Sequence, residues 1–275
     1  MLRLGHIEYS NCFPVHARLV DGEPPSWMEL VPGIPSFLNA ELAAGRIHVA
    51  PSSSIEYARH ADRYRLLPGL VIGSDGPVGS ILLERTRPLE ELDGLEVALP
   101  TASATSVVLL RALLELRDGL RPKYRWFDQA RDGDPIDAGA AAVLWIGDVA
   151  LRRPAREGRE FTDLGAEWRN WTGLPFAFAL WQVSAGPERD DELIRLHGLL
   201  RESMTYFYSR VEELAERHAE RYRLEAGHLA RYWRSLTYSL DERMQQGLLR
   251  FYAAAVELGE APAVPTLRWV GSTGG

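Results

Sequence analysis

The sequence predicts an α/β protein of two lobes with an appended helical segment, and three observations carry that prediction. Strand and helix patterns alternate through the first sixty residues and again from Glu96 to Ile146, the rhythm of a largely parallel sheet with crossover helices. Two apolar strands, Val71–Gly76 and Val78–Glu84, join these two segments, and a further buried-type strand, Ala177–Val183, follows the second, which suggests lobes that share a pair of crossing strands. From Glu188 to Leu258 the strand signal stops, and Leu193, Leu196, Leu200, Phe207, Val211 and Leu214 recur at helical intervals. The lobes are expected at residues 1–84 with 184–275, and at residues 85–183.

Taken in order, Leu2–Tyr9 reads as a strand, Ser10–Pro14 as a turn and Val15–Val20 as a helix. Met28–Val31 is a second strand. Ile34–Gly45 has apolar spacing of three to four, Ser36 as cap and a terminating glycine, so it predicts a helix. Ile47–Ala50 is a third strand, ending at Pro51-Ser52-Ser53-Ser54 and a short helix through Tyr57. Further on, Glu96–Leu99 is a strand that runs into the helical pattern Val107–Leu114. Tyr124–Phe127 and Ala141–Ile146 follow as strands, the second with a turn at Gly147-Asp148. The tail Gly271–Gly275 reads as frayed.

Composition bounds the function. The chain has 275 residues, 46% of them hydrophobic, enough for two modest cores. A formal charge of −7 argues against a nucleic-acid binder. The single cysteine, Cys12, excludes an internal disulfide and reads as a small buried hydrophobe. No apolar run is long enough to span a membrane and no signal peptide is readable at Met1–Ile7, so a cytoplasmic protein is expected. The seven histidines show no metal-ligand spacing with one another or with Cys12, phosphate-binding glycine motifs are missing, and there is no G-x-S-x-G elbow. Neither a metal nor a cofactor is expected.

What remains is polar and mostly uncharged, and it gathers at the carboxyl ends of strands, where α/β folds place ligands. These positions include Ser10 and Asn11, Ser53 and Ser54, Ser80, Thr101, Ser103, Thr105 and Ser106, and Ile146-Gly147-Asp148. The helix start at Thr101–Ser106 holds four hydroxyls in six positions, more than one cap requires. At the positive end of a helix dipole that cluster suits an anion. Trp168 and Trp171 read as core, with closure over a planar ligand as the sharper alternative.

Together the motifs resemble a known family. Gly5–Asn11 with Pro14, Ser53–Tyr57, Gly76–Ser80, Ser103–Val107, Ile146–Leu151, Leu164–Trp168 and Trp171–Phe176 are similar to chorismate dehydratases of the futalosine route to menaquinone. The likeness covers most of residues 2–185. It implies a fold like type II periplasmic binding proteins and loss of water from chorismate to give 3-[(1-carboxyvinyl)oxy]benzoate. It also implies catalytic roles for Asn11 and Ser80, with substrate contacts from Ser10, Ser53, Ser54, Gly79, Ser103, Thr105, Ser106, Ile146, Gly147 and Asp148. The implied partner is the small-molecule substrate alone, with no nucleic acid or membrane, and the oligomeric state, monomer or homodimer, stays open. The related dihydroxynaphthoate synthase is expected to begin with a Ser-Pro-Cys-Pro-Asn-type segment and to use a catalytic histidine, neither of which is found. A solute-binding protein of the same fold and a regulator's sensing domain are the other readings. Two departures touch the pocket wall: Ser10 stands where the family usually has an apolar residue, and Pro51-Ser52 precedes the serine pair.

Overall fold

The computed structural model describes residues 1–271. Its elements are β1 (Leu2–Ile7), α1 (Phe13–Asp21), β2 (Met28–Gly33), α2 (Pro35–Ala43), β3 (Val49–Ser53), α3 (Ser54–Arg59), β4 (Arg65–Ser74), β5 (Ile81–Arg85), β6 (Glu96–Pro100) and α4 (Ala104–Arg111). They continue with β7 (Lys123–Phe127), β8 (Ala142–Ile146), α5 (Gly147–Leu151), β9 (Glu160–Asp163), α6 (Leu164–Thr172) and β10 (Phe176–Val183). The C-terminal segment holds α7 (Asp190–Tyr208), α8 (Val211–Tyr222), α9 (Ala226–Ser235), β11 (Thr237–Ser239) and α10 (Glu242–Glu257). The frayed tail expected beyond Gly271 lies outside the described residues.

Two sheets form the lobes, one in the order β11-β4-β10-β3-β1-β2 and one in the order β7-β6-β8-β5-β9. The chain passes from the first to the second between β4 and β5, and returns between α6 and β10. The expected boundaries therefore cut the arrangement at two strands. β5 belongs with the second sheet, where it pairs with β8 and β9, and β10 belongs with the first, between β3 and β4.

The sheets are mixed, not largely parallel. β1 runs parallel to β2 and β3, and β6 to β7 and β8, whereas β10, β11 and β5 pair antiparallel. These antiparallel strands include the ones that carry the chain across or back, so each enters its sheet from the opposite end.

Local chemistry explains most element ends. Gly173 closes α6 in the left-handed conformation at φ 72°, which costs a residue without Cβ nothing. Asp163 caps the other end of α6 by accepting the Ala166 N–H, and Asp241 does the same for α10 through Met244. In α2 the expected cap Ser36 lies inside the helix, which opens at Pro35 after Ile34, because proline at the first turn presets φ. β3 starts at Val49 and runs on to Ser53 past Pro51. Proline is tolerated there because β3 meets β1 only at Leu4–Val49. Two short strands, β9 and β11, were not expected.

Trp168, Phe176 and Phe251 pack edge to face around the return crossing, with ring centroids 4.9–6.2 Å apart. Burying such a side chain contributes roughly 1.5–3 kcal/mol. Trp168 also donates its indole N–H to the Pro175 carbonyl at 3.2 Å. Neither Trp168 nor Trp171 lines the cleft, so both serve the core.

Candidate active site

A cleft opens where the two lobes meet at the crossing strands, with about 530 Å³ of space between its walls when the open mouth is included. Ile7 and Ile72 come from the ends of β1 and β4, Phe178 and Ala179 from β10, and Ile81 from β5. Polar groups reach it from four corners: Tyr9 and Asn11 after β1, Ser53 at the β3–α3 junction, Ser103 and Ser106 at the start of α4, and Ile146-Gly147 at the β8–α5 junction. No Asp, Glu, Lys, Arg or His is among these lining residues.

The structure brings together only part of the expected set. Asn11, Ser53, Ser103, Ser106, Ile146 and Gly147 line the cleft. Asn11 is held through its main chain, whose carbonyl accepts the Tyr238 hydroxyl at 3.2 Å, while its side-chain Oδ1 is buried without a partner. A buried acceptor left open costs free energy unless something fills it. An open acceptor in the cleft wall can take a donor from a small molecule bound there.

Ser10, Ser54, Thr105 and Asp148 are placed differently: they join the lobes. Asp148 accepts the Ser10 N–H at 3.1 and 3.2 Å, and the Ser10 hydroxyl donates to it as well. On the other side of the cleft Thr105 Oγ1 accepts the Ile55 N–H at 3.2 Å and lies 3.4 Å from Ser54 Oγ, which itself donates to the Ala177 carbonyl at 2.8 Å. All four residues are buried. They latch the lobes, and their polar atoms are spent on protein partners. The serine that departs from the family's apolar residue at position 10 thus has a specific use. Burial pushes the Asp148 carboxyl above the ordinary range, against the hydrogen bonds from Ser10 that draw it down.

Gly79 and Ser80 lie in the β4–β5 crossing, outside the cleft lining. The N–H groups of Val78 and Gly79 donate to Asp163, at 2.7 Å for Gly79, which anchors the turn to α6. Ser80 is 1% exposed, with the cleft residues Ile81 beside it in sequence and Gly147 against it in space, the Gly147 N–H donating to its carbonyl at 2.8 Å. Its hydroxyl meets that of Tyr232 on α9 at 2.9 Å.

The hydroxyl cluster at the start of α4 divides its labour. Thr101 is exposed, Ser103 caps the helix by accepting the Ser106 N–H at 3.3 Å and donates to Ser106 Oγ at 2.9 Å, and Thr105 serves the latch. The first-turn N–H groups of Ala104 and Thr105 stand outside the helical ladder. With Ser103 and Ser106 they make a neutral, donor-rich corner.

Gly147 has φ 59°, and a Cβ there would come 3.3 Å from the Tyr9 ring. Tyr9 was not expected in the site, although its motif was noted. Tyr232 and Tyr238 were missed because aromatic residues at helical spacing read as core, and only the folded chain shows their hydroxyls reaching the loops.

The histidines hold a further surprise, since their sequence spacing pointed to no cluster. His6, Cys12 and His16 converge behind the β1 loop, with 2.9 Å between the two Nδ1 atoms and 3.8–3.9 Å from each to the Cys12 sulfur. Trp181 lies 3.1 Å from His16 Nε2, and an indole N–H can only donate. The His16 proton therefore sits on Nδ1 and is donated to His6 Nδ1, leaving the His6 proton on Nε2, a buried atom with no partner. The Trp181 bond opposes metal ligation through His16 Nδ1, because a ligating ring would have to turn an N–H toward the indole N–H. The trio works as a hydrogen-bond chain that ties β1, α1 and β10 together. Burial, with Arg221 adding to it, lowers His6 to about 4, burial with His6 beside it holds His16 well below the ordinary imidazole value, and burial raises the Cys12 thiol to about 12.

Among the described residues no helix is long and apolar enough to cross a membrane. The fold is similar to that of the periplasmic aliphatic sulphonate binding protein of Escherichia coli, at a TM-score of 0.65 and 15% identity over 99% of this chain and 94% of that one. A chorismate dehydratase of Thermus thermophilus is 32% identical over 276 residues, covering 94% of this chain and 96% of the relative. The 1,4-dihydroxy-6-naphthoate synthase of the same organism is 28% identical, over 96% and 97% respectively. The architecture is thus that of a periplasmic binding protein, and the model for menaquinone biosynthesis matches residues 2–257. By that match the chain belongs to the menaquinone biosynthesis family.

Proposed function

We propose that this chain is a hydro-lyase that converts chorismate to 3-[(1-carboxyvinyl)oxy]benzoate and water. The observation that carries the reading is a cleft with no ionisable acid or base other than Tyr9, lined by neutral donors and by the open acceptor of Asn11. A catalytic histidine, expected of the related naphthoate synthase, has no counterpart among the lining residues.

Chorismate loses the C3 hydrogen and the C4 hydroxyl. The C3–H bond breaks first, and its electron pair spreads through the ring double bond into the ring carboxylate. Donors fixed around that carboxylate stabilise the charge that develops there more than the charge already present, which lowers the barrier. Ser103, Ser106 and the first turn of α4 suit this role. The C4–O bond then breaks and the ring becomes aromatic. With no side-chain base at hand, the substrate's enolpyruvyl carboxylate takes the C3 proton and passes it to the departing hydroxide, which leaves as water. Asn11 and Ser80 orient that carboxylate and hydrogen-bond the leaving group. Closure of the lobes by the Ser10–Asp148 and Thr105–Ile55 contacts excludes water and strengthens each interaction.

Purified protein incubated with chorismate is expected to give a product with aromatic ultraviolet absorbance. Folded Asn11→Ala and Ser80→Ala variants are expected to lose at least 100-fold in kcat, in the range typical of lost transition-state donors. Unconverted chorismate would make this a binding protein, and near-normal turnover in both variants would remove those two residues from the mechanism.

A further inference from the structure

We infer that Tyr232, on the C-terminal helix α9, is a positioning residue that fixes the direction of the Ser80 hydroxyl proton during elimination. The inference rests on the role of Ser80 proposed above. The two oxygens are 2.9 Å apart and both residues are buried, Ser80 at 1% and Tyr232 at 4% exposure. A phenol is the more acidic partner and an aliphatic hydroxyl the better acceptor, so Tyr232 donates and Ser80 accepts. Burial raises the Tyr232 phenol, which keeps this donor protonated at any working pH.

That donation decides where the serine proton goes. With one lone pair of Oγ taken by Tyr232, the Ser80 O–H must point away from the phenol. No other residue among those described accepts it, since the Tyr232 contact is the one hydrogen bond its Oγ makes. The groups next to Ser80, Ile81 and Gly147, form the cleft wall. In the role proposed for Ser80 that unshared proton is the one it donates to the substrate, and the phenol keeps it in one orientation without a search among rotamers at the moment of reaction.

The same C-terminal stretch holds the facing loop. Trp233 donates to the Ser10 carbonyl at 2.8 Å and Tyr238 to the Asn11 carbonyl at 3.2 Å. Residues 232–238 thus touch both proposed catalytic positions, one through its hydroxyl and one through its main chain. Tyr232 is the member whose hydrogen bond ends on a reacting group's own atom.

The test is Tyr232→Phe, which removes one oxygen and keeps the ring. The expected result is a fall in kcat of about tenfold or more with KM within about twofold of wild type and an unchanged fold by circular dichroism. In a Ser80→Ala background the same substitution is expected to do nothing further, since the two groups act as a unit. Wild-type kcat in Tyr232→Phe, or an equal loss in both backgrounds, would overturn the inference. Should that variant not fold, 3-fluorotyrosine placed at position 232 strengthens the donor with little change in volume. A shifted kcat at unchanged thermal midpoint supports the positioning role, and an unshifted one overturns it. Wild-type protein that binds chorismate without converting it would contradict the proposed reaction, a separate outcome from any of these.

Discussion

Asp148 of one lobe accepts both the N–H and the hydroxyl of Ser10 of the other, across a cleft that holds no charged side chain of its own. A hydrogen bond to a charged group is worth roughly 1.5–3 kcal/mol. Removing the hydroxyl by Ser10→Ala is expected to favour the open form and raise KM by roughly tenfold, with a smaller change in kcat. Steady-state kinetics give the KM, and small-angle scattering gives the opening as a larger radius of gyration.

Gly147 supports a second prediction. Gly147→Ala places an ordinary residue at φ 59° and brings its Cβ to 3.3 Å from the Tyr9 ring. The backbone strain alone costs about 1–2 kcal/mol, and the pressure on Tyr9 displaces a wall of the cleft. Thermal melts should show the loss of stability, and kinetics a raised KM.

The histidine chain makes acid stability specific. His6 has its pKa lowered by burial from 6.5 to about 4, so the unfolded chain binds its proton before the folded chain does. The stability this group contributes is complete above pH 6.5 and is lost as pH falls through 4, with a full extent on the order of 3 kcal/mol. His16 adds a contribution of the same sign. Urea titrations between pH 7 and 4 should show wild-type stability falling in that window, and His6→Asn should flatten the dependence while lowering stability at pH 7.

Cys12 should be inert. Fully buried, with its thiol pushed up to about 12, it has almost no thiolate at neutral pH. Iodoacetamide should leave the folded protein unmodified and alkylate it once urea is added, as intact mass would show.

Much of the fold was legible in the chain. Strands such as Ala142–Ile146 and Phe176–Val183 announce themselves as apolar runs, and α4 follows its strand with its cap Ser103 in place. What periodicity could not show is which lobe a crossing strand joins. β10 is apolar on both faces for most of its length and β5 opens on Ile81-Leu82-Leu83, so neither sheet is marked as their partner. In the site, loop chemistry located the corners but not the orientation of each hydroxyl. Thr105 and Ser106 are adjacent and similar, yet one turns to Ile55 of the other lobe and one lines the cleft. The tyrosine hydroxyls of the C-terminal segment were hidden for a related reason, since a tyrosine that packs its ring in the core and sends its oxygen to a loop has the pattern of a core residue.

Elimination through the substrate's own carboxylate, with no side-chain base, leaves a signature in the pH dependence of turnover. The decisive measurement is kcat on chorismate as a function of pH. A flat profile is expected from about pH 6 to 9, because the substrate carboxylates are ionised throughout and no group lining the cleft other than the raised Tyr9 phenol titrates. A limb within that range that persists at saturating substrate would require an ionising protein group in the reaction and would contradict it.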